Sequence, residues 1–220
     1  MKKTILTACS AMLLLVACNS SETKENKNDS TSTTVSTMES KTDEAWVPVD
    51  SATMMKAMMD YGTPGDMHKM LASWSGTWNG ETTIWANEGE TPQKSTGAAV
   101  NSMIFGGRYQ STTHKGNMMG MPFEGMSITG YDNATKKFVS TWVDSWSTGI
   151  MNMSGDWNAG TKTLTMTGTM PDICRPGKMC SLKEVITVVD DNTQKMEMYG
   201  PDNKTGKEFK MMEINMSRKK

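Results

Sequence analysis

Histidine, cysteine and aromatic residues are scarce in this 220-residue chain, and each shortage closes off a class of chemistry. Only His68 and His114 carry imidazole, which leaves little for zinc hydrolysis or a nucleophilic triad. There is no Gly-x-Ser-x-Gly, no His-Glu-x-x-His and no phosphate-cradling glycine loop. No catalytic residue and no cofactor are therefore assigned, and the chain does not read as an enzyme. Basic excess is also missing: 23 Lys and Arg face 24 Asp and Glu, for a net charge of -1. No basic stripe marks a nucleic-acid partner. Hydrophobic residues make up 36% of the chain, low enough to place part of it outside a packed domain. The one long apolar run, Thr4 to Val16, is too short to span a bilayer as a mature helix.

That run has another use. Met1-Lys2-Lys3 precedes it, and Leu15-Val16-Ala17-Cys18 follows. Positive n-region, apolar h-region and terminal box together resemble the signal peptide and lipobox of bacterial lipoproteins. The resemblance implies cleavage before Cys18 and acylation of its thiol, giving a lipid (palmitate-type) anchor in the cell envelope, at the outer membrane or periplasmic face. Residues 1–17 are thus read as signal peptide. Residues 18–45, rich in Ser, Thr, Asn, Lys and Glu, are read as lipidated Cys18 and a disordered tether, since they cannot bury enough surface to offset the entropy of ordering.

Residues 46–75 are expected to form a short helical cap. Met54-Met55-Lys56-Ala57-Met58-Met59 has helical spacing and helix formers, and Gly62 stops it. Thr63 is then read as the N-cap of a second helix with Pro64 at its first position, and His68 as a solvated residue upon it. From residue 76 onward the pattern changes to period two. Ser127 to Trp146 is the clearest case, with two β-prone runs flanking Asp132-Asn133-Ala134-Thr135-Lys136. Related corners recur at Asn158–Lys162, Asp191–Lys195 and Asp202–Lys207. Asp and Asn bond their own main chain and tolerate left-handed backbone, so these are turns between neighbouring strands. About ten strands result, over residues 76–220. The fold class is mainly all-β: an antiparallel up-and-down barrel with short N-terminal helices, closure removing the exposed edges.

Gly76-x-Trp78 after a short helix, the hairpins, and Arg218 at the end of the last strand resemble the calycin, or lipocalin-like, plan. That resemblance implies that Trp78 and Arg218 close one end of the barrel. Thr63-Pro64-Gly65-Asp66-Met67-His68-Lys69, Gly106-Gly107-Arg108-Tyr109, Met119-Gly120-Met121-Pro122-Phe123-Glu124-Gly125, Gly130-Tyr131-Asp132-Asn133 and Trp142-Val143-Asp144 are similar to an uncharacterised bacterial family, domain-of-unknown-function family 1579. The family implies no activity to transfer.

Three groups of residues carry candidate chemistry. Arg108, Tyr131, Phe138, Trp142 and Asp144 are candidate ligand-binding residues. Asp144 shares a strand face with Phe138 and Trp142, and if that face lines the barrel Arg108 could pair with it or both could anchor a small hydrophobic ligand. If the opposite face is inward, Asp144 is merely solvated. His114, Met118, Met119 and Met121 offer soft donors suited to Cu(I) or Ag(I); the competing reading is that Met, at 24 residues, is adaptable filler. Cys174 and Cys180 flank Pro176-Gly177 and are read as a disulfide across a hairpin loop, with a redox or metal pair as the alternative. Three functions remain: ligand binding in a barrel cavity, soft-metal binding, or a structural lipoprotein whose barrel is filled by side chains.

Overall fold

The computed structural model describes residues 45–220. The leader, Cys18 and the tether up to residue 44 lie outside the described residues. Two helices come first, α1 (Ser51–Gly62) and α2 (Asp66–Ser73). Ten strands follow: β1 (Gly76–Ile84), β2 (Gln93–Ile104), β3 (Tyr109–Met118), β4 (Met121–Asp132), β5 (Lys137–Asp144), β6 (Met151–Asn158), β7 (Thr163–Pro171), β8 (Met179–Asp190), β9 (Thr193–Pro201) and β10 (Glu208–Arg218). Each strand pairs antiparallel with its neighbour in sequence, and β1 pairs with β10, so the sheet closes into a barrel.

The corners work as the sequence suggests, with one exception. Asp132, Asn158 and Asp202 each accept, through Oδ1, the backbone N–H groups two and three residues on. Four residues after each comes a left-handed residue: Lys136 (φ 57°), Lys162 (φ 52°) and Gly206 (φ 71°). The fourth corner is tighter. Asp190 pairs directly with Thr193, leaving Asp191 and Asn192 as the turn.

One end of the barrel is sealed by α2. An eight-residue helix is marginal alone, and its last carbonyls have no partner within the helix. Side chains of the barrel supply them. Gln110 Nε2 donates to Leu71 O at 2.6 Å. Asn101 Nδ2 and Trp78 Nε1 both donate to Trp74 O, at 3.0 and 2.9 Å. The Arg218 guanidinium donates to Ser73 O and Ser75 O and lies over the Trp78 ring at 4.3 Å. A cation at a helix C-terminus also complements the helix dipole. Leu71, Trp78, Phe138 and Leu164 are all but inaccessible to water here.

The N-terminus of α2 differs from expectation. Gly65, not Thr63, is the cap, and Thr63 ends α1 instead, its Oγ1 donating to Met59 O. His68 is buried, not solvated. Its Nδ1 accepts the Gly65 N–H at 3.0 Å and its ring meets Tyr131 edge-on. A third-position side chain that reaches back to the cap must fold inward, and that buries the ring.

Candidate functional site

Strand register fixes which side chains face the inside. On β3 these are Gln110, Thr112, His114 and Gly116; on β5, Phe138, Ser140, Trp142 and Asp144; on β8, Cys180, Leu182, Glu184, Ile186 and Val188. The inner face is uneven. Bulky residues from β5 to β9 pack into one cluster with α2, including Phe138, Met153, Leu164, Met166 and Leu182. Across the barrel, Ser95, Gly97 and Ala99 of β2, Gly116 of β3, and Gly125 and Ser127 of β4 present almost no bulk. Eight strands give an interior that side chains can fill; ten give a wider one. Small residues on three adjacent strands give that side of the wall little with which to fill the interior beyond the α2 end.

Two titratable side chains face that space without a protein hydrogen-bond partner among the described residues. Burial alone drives the Glu184 carboxyl up to about 7 and the His114 imidazole down to about 4. Both residues are half-buried, and strand alternation puts both on the inner face. In the ring of ten strands β8 and β3 are five apart, hence diametrically opposed. Paired residues traced around the ring from Glu184 run one way through Met166, Gly155, Phe138 and Tyr131 to the start of β3. The other way they run through Met198, Met212, Ile84 and Gln93 toward the turn after β3. His114 stands midway between those endpoints, level with Glu184.

An aromatic wall adjoins His114. Its ring is 5.2 Å from Trp142, which stacks on Phe123 at 6.2 Å, and Phe123 meets Trp146 edge-on at 5.5 Å. Gly125 makes this possible, because a β-carbon there would run into the Trp142 indole. Asp144 anchors the same wall, accepting from Trp142 Nε1 and from the backbone N–H groups of Trp146 and Ser147, all at 2.8 Å. Burial raises its carboxyl, but these hydrogen bonds outweigh that and hold it below the usual carboxylate range.

The residues singled out in the sequence are therefore dispersed. Trp142 and Asp144 belong to the chamber wall. Tyr131 and Phe138 pack together at the α2 end, 5.0 Å between rings. Arg108 is exposed at the β2–β3 turn, where it donates to Phe105 O, so the Arg108–Asp144 ion pair is not formed; the two lie at opposite ends of the barrel. His114 points inward, whereas Met119 and Met121 are exposed at the β3–β4 turn, and the four soft donors do not converge. Cys174 and Cys180 are unbonded thiols. Cys180 is directed by its strand toward Met170 O, while Cys174 sits on the exposed turn with its N–H on Asp172. Glu184 was missed in the sequence reading. The signal was a single acid in the otherwise apolar alternate series Leu182, Ile186, Val188.

Two depressions also mark the outer surface. One, of about 580 Å³, crosses β4 to β7 near Val139 and Thr141. The other, of about 300 Å³, lies between Tyr61, Arg108 and Asn133.

A closed antiparallel barrel with a helix plugging one end and an arginine stacked on a first-strand tryptophan is a lipocalin-like barrel. The chain belongs to the family Protein of unknown function (DUF1579), which matches residues 63–218. Rv2717c from M. tuberculosis is similar in structure, with a TM-score of 0.52 at 8% identity, covering 72% of this chain and 100% of its own. So is the S-type phycobiliprotein lyase CPES from Guillardia theta, with a TM-score of 0.50 at 6% identity, covering 74% of this chain and 97% of its own. At these identities the likeness is one of fold. No curated protein matches the chain in sequence.

Proposed function

We propose that this protein is a lipid-anchored envelope protein that binds a small, largely apolar ligand inside its barrel. The observation that carries the reading is the pair Glu184 and His114, which sit on opposite inner walls of the barrel without a protein hydrogen-bond partner among the described residues. Buried polar groups in a purely structural core are hydrogen-bonded in the great majority of cases. Unpaired ones cost stability, and their retention is explained when a ligand supplies the missing partner. The phycobiliprotein lyase has a similar fold, and a small-molecule ligand in a barrel of this kind is compatible with that likeness. The anchor at Cys18 follows from the lipobox resemblance, and mass spectrometry of the mature N-terminus tests it: an unacylated terminus other than Cys18 removes it.

Titration with N-phenyl-1-naphthylamine, a neutral apolar fluorophore, tests the chamber. Saturable one-to-one enhancement is expected, and Ser127→Phe, which adds bulk to the bare inner wall opposite β8, should abolish it. Enhancement unaffected by Ser127→Phe places the probe elsewhere and overturns the reading.

A further inference from the structure

The sign of charge inside the barrel narrows the ligand. The inner face rises from the Trp78 floor through every strand of the barrel. β1 contributes Gly80, Thr82 and Ile84; β7 contributes Leu164, Met166, Gly168 and Met170; β9 contributes Gln194, Met196, Met198 and Gly200. On β10 a register shift after Lys210 brings Met211, Met212, Ile214 and Met216 to the inside. No lysine or arginine appears on the inner face above the floor among the described residues. Arg218 is committed to α2 carbonyls and the Trp78 face. The other cations near these strands turn outward: Lys210 pairs with Glu197 and Glu213, Lys195 with Glu197, and Lys183 with Glu208. Of the inward acids, Asp144 is saturated by three donors, and Glu184 has none.

A chamber walled by thioethers and indole, with one free carboxyl and no cation, repels a fatty-acid carboxylate and leaves a neutral alcohol without a charge-assisted partner. It suits a positively charged head on an apolar body. Thioether sulfur and aromatic faces are both favourable surroundings for an alkyl-ammonium group. We propose that the ligand is a hydrophobic amine, its ammonium bound by the Glu184 carboxylate and its tail laid along the methionines of β7, β9 and β10 toward Trp142. This rests on the reading that the chamber binds ligand at all. His114 lies across the chamber and stays neutral through the physiological range, so it adds a hydrogen-bonding group without opposing charge. The residues flanking Glu184 on the inner face are Met166 of β7, Met198 of β9, and Leu182 and Ile186 of β8; Cys180 is the next titratable group on the inner face of its strand, Lys183 turns outward to Glu208, and His114 faces it from across the barrel. Glu184 thus controls the site's charge.

The test uses the full chain carrying Cys18→Ser and three ligands of one tail, dodecylamine, dodecanol and dodecanoate, each at micromolar concentration, displacing N-phenyl-1-naphthylamine at pH 7.5. The amine is expected to bind at least tenfold more tightly than the alcohol, and the carboxylate most weakly. Glu184→Gln should remove the amine's advantage and leave dodecanol unchanged. In the unaltered barrel, amine affinity should fall about fivefold from pH 7 to pH 6 as Glu184 takes up its proton, while dodecanol affinity stays flat; this arm does not depend on the variant folding. Probe displacement in which alcohol or carboxylate equals the amine overturns the amine assignment and keeps the chamber. Failure of the probe and all three ligands to bind overturns the chamber, and the amine with it.

Discussion

Around α2 the barrel is packed and its inward side-chain donors are committed to helix-end carbonyls, with Asn101 Oδ1 the one buried oxygen there left unpaired; halfway along its length the inward titratable groups have no partner. Gln110, Asn101, Trp78 and Arg218 together close four carbonyls at and just beyond the end of α2, with Trp78 and Leu71 at 1% and 0% exposure. Further along the barrel, His114 on β3 and Glu184 on β8 have no such partners. Both regions are built on the same alternation, so the difference is not one of secondary structure. It comes from bulk and from satisfaction of polar groups. The α2 end behaves as a core, where a buried donor is present because it closes an acceptor. The middle keeps polar groups that destabilise the empty protein, which is the pattern expected where a site is held ready for an external partner.

Substitution of the two tryptophans gives the largest expected effect. Trp78→Ala removes a fully buried indole, its hydrogen bond and the Arg218 stack, and should cost ~3–5 kcal/mol in urea unfolding. Trp142→Ala, at the half-open wall, should cost less than half of that while weakening ligand binding. Equal losses would show that the chamber is packed like the α2 end, and the contrast between the two regions would disappear.

Next comes pH. Glu184 has a folded pKa of about 7, above its ordinary 4.5. The folded state therefore holds its proton where the unfolded state has released it, and stability falls as pH rises from 4.5 to 7, by up to ~3 kcal/mol. His114 works the other way. Its folded pKa of about 4 lies below the ordinary 6.5, so its contribution is present above 6.5 and lost as pH falls toward 4, again by up to ~3 kcal/mol. Between 4.5 and 6.5 the two slopes oppose and the intact protein should show little net change from this pair. Glu184→Gln should unmask a rise in stability over that window, and His114→Gln a fall. Glu184→Met should stabilise the protein at pH 8 by ~2–3 kcal/mol, since an unpaired buried charge is exchanged for an apolar neighbour of Met166 and Met198. Urea midpoints across pH 4 to 8 measure all three. A Glu184→Met protein no more stable than the parent at pH 8 would mean that the carboxylate already has a partner.

Strand number, the corner chemistry and the presence of a helical cap were legible because each is written in local spacing. Asp132-Asn133-Ala134-Thr135-Lys136 specifies its turn whatever surrounds it. The site was only partly legible because facing depends on register, which no single strand determines. Trp142 and Asp144 were assigned to one face correctly as a pair, but the ion pair with Arg108 needed the two to share an end of the barrel, and an up-and-down topology puts them at opposite ends. His68 and Cys180 depended in the same way on what their neighbours left free: a cap N–H for the imidazole, a strand direction for the thiol. Glu184 was readable in principle, as the one charge on an apolar alternation, but which face of β8 turns inward is set by its pairing with β7 and β9.

The smallest effect isolates the corners from the chamber. Lys136 and Lys162 adopt left-handed backbone (φ 57° and 52°), at the position where the equivalent Asp202 turn has Gly206. A side chain there costs ~1 kcal/mol relative to glycine, partly offset by the greater freedom of an unfolded glycine. Lys136→Gly and Lys162→Gly should each raise stability by ~0.5–1 kcal/mol. Both turns lie at the α2 end, so neither change should alter binding of N-phenyl-1-naphthylamine in the chamber. A stabilised turn that nevertheless shifts probe affinity would show that the two regions are coupled, and that the chamber's shape depends on how tightly its far end is closed.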